Sequence, residues 1–312
     1  NKDNPVDKFK WIPFGKSILK VFENIDTAEI SFLYNNLGLI CRYTGEYKKA
    51  KELLEKVLIF DKQNMRKENP NITIAYSNLA VALQDLGDLQ GAKNLLEKAM
   101  LLDQKNFGED HPKTATRYSN LALVLQDLGD FKGAKTLLEK AVNSAEKNYG
   151  KDHPKTAIRY SNLATVLKDL EDYKGAKELL EKALYIAKMN FGENHPKTAI
   201  RYSNLGIVLK ALGEFEKAKE ILEKAIVIDE KNFGKNHPKI ASRYSNLALV
   251  LNKLKNYKRA KEYMEKALIS TKSVFGEEHP KTGICYSNMA TILQTIGDLK
   301  NALKNFTNAI RY

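Results

Sequence analysis

Tyr118-Ser119-Asn120-Leu121-Ala122 returns 42 residues later as Tyr160-Ser161-Asn162-Leu163-Ala164, and again as Tyr202-Ser203-Asn204-Leu205-Gly206 and Tyr244-Ser245-Asn246-Leu247-Ala248. The register extends outward to Tyr76-Ser77-Asn78-Leu79-Ala80, to Tyr286-Ser287-Asn288-Met289-Ala290 and, more loosely, to Tyr34-Asn35-Asn36-Leu37-Gly38. A fixed period sustained over seven units signals a solenoid, in which each unit buries its apolar face only against its neighbours. The 312 residues therefore count repeats rather than globular domains, and one elongated array with a continuous core is expected.

The unit around Tyr118 reads as two helices. Pro112 follows His111 where a first helical residue belongs, and Gly129 in Asp127-Leu128-Gly129-Asp130 supplies a turn. Helix A is thus predicted over 112–127 and helix B over 131–148, where Ala134, Leu137, Leu138, Ala141, Val142 and Ala145 keep three-and-four spacing. The turn glycine recurs at Gly45, Gly87, Gly213 and Gly297, but Glu171 and Lys255 take its place in two units, which predicts turns there that are either slightly strained or differently shaped. Small residues hold fixed slots: Ala50, Ala92, Ala134, Ala176, Ala218, Ala260 and Ala302 in helix B, and Ala80, Ala122, Ala164, Gly206, Ala248 and Ala290 in helix A. Such slots let two helix axes approach closely.

The pattern Tyr-x-x-Leu-Ala/Gly-x-x-Leu in helix A, followed by the recurring Ala of helix B, Leu138 and Ala141, resembles the tetratricopeptide repeat (TPR) signature. The 42-residue period with its Phe-Gly-x-x-His-Pro-Lys-Thr-Ala linker is similar to the variant of kinesin light chains and of arrays fused to bacterial STAND-type signalling ATPases. The resemblance covers 31–312. It implies an all-α, right-handed superhelical solenoid of about seven antiparallel helix pairs, with repeats starting near 31, 70, 112, 154, 196, 238 and 280. It also implies a protein-binding role, though many unrelated partners bind such arrays.

Residues that packing does not require are the candidates for function. With about 100° per residue, Tyr118, Leu121, Ala122 and Leu125 fall on the face buried against helix B. Asn120 points away, beside Thr116, Leu123 and Asp127, with Arg117 and Val124 on the flank. In a stack of helix pairs this side should line a concave groove. Its Asn slot is filled in every unit: Asn36, Asn78, Asn120, Asn162, Asn204, Asn246 and Asn288. A primary amide donates and accepts, so it can pair with a peptide backbone whatever the side chains. Helices about 10 Å apart would let successive asparagines grip every third residue of a strand rising about 3.3 Å per residue. The competing reading is an Asn bonded to the next helix, which sets repeat geometry.

A second column holds Arg117, Arg159, Arg201 and Arg243, half of the eight arginines in a chain with 43 lysines. Arginine in a lysine-rich sequence suggests that the planar fork matters, either for a ligand carboxylate or phosphate or for an inter-repeat salt bridge or stacking contact. Leu33, Ala75 and Cys285 stand in that slot elsewhere, which confines an anionic subsite to the middle units.

The net charge of +13 favours an acidic protein or extended peptide through steering. Nucleic acid is disfavoured, because Lys132, Lys135, Lys140 and Lys147 alternate with Glu139 and Glu146 on helix B and the Tyr register points inward. His111, His153, His195, His237 and His279 share one slot a repeat apart, too far for a common metal, and no cofactor is expected. Gly15-Lys16-Ser17 lacks the first glycine and the strand of a phosphate loop. No nucleophile, base and orienting group recur together, so no enzyme is expected. The resemblance to chaperone-binding arrays fails at their carboxylate clamp, where Ser119 and Leu123 stand.

No apolar stretch approaches the roughly 20 residues of a membrane span, and no signal peptide is apparent. Cys41 and Cys285 lie six repeats apart, so a disulfide is not expected and a cytoplasmic setting follows. Residues 1–30 leave the repeat pattern. Ile18, Leu19, Val21 and Phe22 suggest a capping helix, and Trp11-Ile12-Pro13-Phe14 resembles the junction of STAND-type proteins. With no initiator Met and an uncapped end at Tyr312, a fragment of a longer protein is expected. Two readings remain open: an adaptor whose groove binds a peptide or protein, or the ligand-sensing arm of a STAND-type signalling or defence ATPase.

Overall fold

The computed structural model describes residue 17 and residues 27–64, 72–235 and 237–310. The expected capping helix, the Trp11-Ile12-Pro13-Phe14 junction, Gly15-Lys16 and the end at Tyr312 lie outside the described residues. Among those described, fourteen helices follow one another without a strand: α1 (Ala28–Thr44), α2 (Tyr47–Asn64), α3 (Ile72–Asp85), α4 (Leu89–Phe107), α5 (Pro112–Asp127), α6 (Phe131–Tyr149), α7 (Pro154–Asp169), α8 (Tyr173–Phe191), α9 (Pro196–Ala211), α10 (Phe215–Phe233), α11 (Pro238–Lys253), α12 (Tyr257–Phe275), α13 (Pro280–Ile296) and α14 (Leu299–Ile310). Odd-numbered helices are the A helices of the repeat and even-numbered ones the B helices. The chain forms two compact units, divided between Asn148 and Tyr149 at the end of α6. Among the described helices, α1, α3, α7, α9, α11 and α13 each pack on the B helix that follows, and α3, α5, α9, α11 and α13 on the B helix that precedes.

The linker histidines start the A helices. Nδ1 of His111, His153, His195 and His279 accepts the backbone N–H two residues on, at 3.1–3.2 Å. This satisfies one of the donors that every helix N-terminus leaves open, and proline follows at the position that needs no N–H. Each imidazole also lies against the aromatic ring that ends the previous B helix, with centroids 4.8 Å apart for Phe107 and His111 and 5.1 Å for Phe191 and His195. The histidine column is thereby given a capping and stacking role.

At the crossing of the two helices the slots are tight. Ala134, Ala176, Ala218 and Ala260 are wholly buried. A Cβ added at Gly206 would come within 2.7 Å of Leu222 Cγ, so glycine here admits the leucine of the following helix. Tyr118, Tyr160, Tyr202, Tyr244 and Tyr286 are all buried, as the inward Tyr register requires.

Of the two expected forms, the turns without glycine take the strained one. Glu171 and Lys255 adopt φ of 63° and 60°, in the left-handed region that Gly129 and Gly213 occupy at 81° and 78°. An L side chain there costs about 1–2 kcal/mol, part of which glycine returns as backbone entropy. Glu171→Gly is therefore expected to stabilise the second unit by roughly 0.5–1 kcal/mol, read as a rise in the midpoint of urea unfolding. An unchanged or lowered midpoint would show that the turn carries no strain.

Candidate functional site

The face opposite the buried Tyr-Leu-Ala stripe is built by one side of each A helix. In α5, Leu123 and Asp127 are exposed and Asn120 and Thr116 half-buried, while the flank at Arg117 and Val124 is covered. The helix is thus rolled so that the Asn slot sits at the edge between solvent and the neighbouring repeat.

The asparagines divide by what their amides do. Asn36 donates to Phe32 O one turn earlier in its own helix. Asn78 Nδ2 donates to Asn35 Oδ1 at 2.7 Å, and Asn288 Nδ2 to Ser245 Oγ at 2.9 Å, each reaching the preceding A helix. These bonds tie repeats together, in line with the geometric reading of the slot. Asn120, Asn162, Asn204 and Asn246 make no side-chain hydrogen bond among the described residues and are half-buried. Four amides are therefore left with their pairing capacity open, one in the first unit and three in the second.

The arginines turn the other way. Arg117 Nε donates to Asp103 Oδ2 at 2.8 Å, Nη1 to Ser77 Oγ at 2.7 Å and Nη2 to Thr73 Oγ1 at 3.1 Å. Arg243 Nη1 lies 3.0 Å from Asp229 Oδ2. These two residues are only 8% and 6% exposed, wedged between their own A helix and the pair before it. Here the fork serves an inter-repeat ion pair, the second of the roles the column allowed. Arg159 and Arg201 are half-buried, and Arg201 Nη1 donates to Ser161 Oγ at 2.9 Å. Burial lowers the proton affinity of Arg159, Arg201 and Arg243.

The acid that pairs with each arginine lies fourteen residues earlier, on the preceding B helix. The same slot holds Asp61, Ala145, Ala187 and Thr271 in other repeats. Asp61, opposite Ala75, is buried without an ion pair among the described residues, and burial raises its carboxyl pKa.

Charge on the open face differs between the units. At the C-terminal ends of the first unit's A helices, Arg42 pairs with Asp85 and Gln84 bonds to Asp127. In the second unit the corresponding ends bring Lys168, Lys210 and Lys253 together, with Asp169 bonded to Lys168 at 2.8 Å. Burial, and then the charges of Lys168 and Lys253, lower the pKa of Lys210.

One column escaped the sequence reading. Four residues before the asparagine stand Phe32 and Ile74 in the first unit and Ile158, Ile200 and Ile284 in the second, all exposed, with Ile158 and Ile200 at 44% and Ile284 at 60%. Thr116 and Ser242 fill the slot in the other repeats. The signal was present as an apolar residue recurring at the repeat period on a face that packing leaves open.

Among the described residues no helix is long and apolar enough to cross a membrane, and no cluster of His, Cys, Asp or Glu could hold a metal ion. The described structure thus offers an open, repeated surface of amides and apolar side chains.

Comparison with solved structures places the chain beside other helical repeat arrays. It shares 27% identity with the nearly identical TPR-like repeats of a Podosopora anserina kinesin light chain, over 66% of this chain and 99% of that one, with a TM-score of 0.56. The quorum sensor NprR of B. thuringiensis, at 17% identity, aligns over 98% of this chain and 83% of its own with a TM-score of 0.68. A STAND protein with a tetratricopeptide repeat sensor from Pyrococcus horikoshii, also 17% identical, aligns over 96% of this chain and 45% of its own with a TM-score of 0.59. The latter two similarities concern the fold alone. No curated protein matches the chain. Tetratricopeptide repeat models match residues 31–64 and, in overlapping segments, 71–312. With this coverage, the same repeat in sequence and the same helix pairs in structure, the chain belongs to the tetratricopeptide repeat family.

Proposed function

We propose that this chain is a non-catalytic protein-interaction module whose A-helix face binds an extended peptide segment of a protein partner. The observation that carries the reading is the set of open amides at Asn162, Asn204 and Asn246 in the second unit, half-buried and without partners among the described residues. An amide that reaches solvent and spends none of its hydrogen bonds within the fold is available to a ligand, and a peptide backbone supplies both a donor and an acceptor. Asn120 offers the same group in the first unit. Asn78, Asn288, Arg117 and Arg243 act in this scheme by holding repeats in register.

The remaining features fit such a ligand. Ile158 and Ile200 give apolar side chains of the peptide a surface one helical turn from the amides. The lysines at 168, 210 and 253 favour acidic residues and would speed association at low salt.

The test begins by selecting an extended peptide from a random display library on the wild-type chain. Its affinity is then measured by calorimetry for wild type and for Asn162→Ala/Asn204→Ala/Asn246→Ala. Three lost amide pairs at about 1 kcal/mol each predict roughly a hundredfold weaker binding. The melting temperature should change little, because none of the three amides has a hydrogen-bond partner among the described residues. Equal affinity in both proteins would remove the amides from the site, and a large drop in melting temperature would make them structural.

A further inference from the structure

Arg201 differs from Arg117 by two substitutions in the residues around it, and from Arg243 by one, the loss of the acid fourteen residues earlier. Around Arg117, three side chains take the guanidinium: Asp103 on Nε, Ser77 on Nη1 and Thr73 on Nη2. The equivalent residues around Arg201, one fourteen residues earlier and two on the preceding A helix, are Ala187, Ser161 and Ala157. Only the serine remains. Its Oγ donates to Ala157 O at 3.0 Å and accepts from Arg201 Nη1 at 2.9 Å. The Nε and Nη2 donors of Arg201 have no hydrogen-bond partner among the described residues, and no acidic residue forms an ion pair with this side chain. Whereas Arg117 and Arg243 are 8% and 6% exposed, Arg201 stays partly open to solvent.

We propose that the Nε/Nη2 edge of Arg201 is a subsite for a single carboxylate of the bound partner, which takes the place that Asp103 fills beside Arg117. Two parallel N–H donors in one plane match the two oxygens of a carboxylate, and Arg is favoured over Lys for that geometry. Asn204 and Ile200 lie on the same helix, three residues and one residue away, so the charge would be read alongside the peptide backbone and an apolar side chain. This deepens the peptide-binding reading and rests on it. Burial already weakens the hold of Arg201 on its proton, and an incoming anion offsets that desolvation.

The fold itself supplies a test, because the internal partner can be restored. Ala187→Asp recreates the arrangement of Asp103 and Arg117 and should occupy the edge from within. The readout is the Arg201 Nε–H resonance of labelled full-length chain, titrated at low salt with the amidated probe acetyl-Glu-Glu-Glu-Glu. The expected result is a saturable shift of that resonance in wild type and none in Ala187→Asp, where the signal is already displaced in the free protein. Acetyl-Gln-Gln-Gln-Gln carrying a free C-terminal carboxylate separates the sources: a response to it assigns the subsite to a chain terminus, and silence assigns it to an acidic side chain.

Should Ala187→Asp fail to fold, Arg201→Lys keeps the charge and removes the two-donor edge. It is expected to weaken the glutamate probe by about tenfold or more in calorimetry. An unmoved Arg201 signal in wild type, or equal affinity in the lysine variant, overturns the subsite. Loss of the amide effect in the asparagine variant with a responsive Arg201 would instead sink the backbone grip and leave the carboxylate site standing.

Discussion

Arg117→Ala is expected to lower the unfolding free energy by about 3–5 kcal/mol, the range for breaking a buried ion pair by removing one member. Asp103 is fully buried, and its ion-pair partner is Arg117. Truncation leaves that buried carboxyl without its counter-charge, and the hydroxyls of Ser77 and Thr73 lose the donor that spans them. The penalty should fall on the seam between α3, α4 and α5, because repeats feel only their neighbours. Urea unfolding with hydrogen exchange on those helices would read both the size and the place of the loss. The double variant Arg117→Met/Asp103→Leu should recover most of it, since well-packed apolar replacements of buried ion pairs are often neutral or stabilising. A loss below about 1 kcal/mol in the single variant would place the pair with ordinary surface ion pairs and remove it from the seam.

Tyr118→Ala should cost a similar amount, about 3–5 kcal/mol, through a different term. The ring is 1% exposed and packs with Ala115 and Ala141, against Met100 and Leu137. Its hydroxyl accepts from Gln104 Nε2 at 3.0 Å. Tyr118→Phe keeps the volume and loses only that bond, for about 1 kcal/mol. Equal losses in the two variants would mean that the hydroxyl, rather than the packing of the ring, holds the first unit together.

The two arginine environments show where reading along the chain reaches its limit. All four arginines look alike in sequence, and the column was open to a ligand role or an inter-repeat role. What separates Arg117 from Arg201 is the identity of residues fourteen and forty-four positions away, Asp103 against Ala187 and Thr73 against Ala157. Those offsets mean nothing until the packing of a helix pair on the next brings the three chain segments to one guanidinium. The asparagines behave likewise. Asn78 and Asn288 are bonded across to Asn35 and Ser245 of the preceding repeat, whereas Asn204 is not, although Ser161 stands at the same offset of 43 residues; that hydroxyl accepts from Arg201 instead.

The repeat period, the two helices of each unit, their starts at His-Pro, and the glycine-free turns at Glu171 and Lys255 were determined by sequence alone. These features follow from local rules: a 3.6-residue apolar period, a side chain that caps, a proline that needs no donor, and a glycine slot that demands positive φ. Tertiary structure alone decided which polar side chains complete one another and which stay open. A hydrogen bond depends on two groups meeting within about 3 Å, and in a stacked array the second group belongs to the neighbouring repeat.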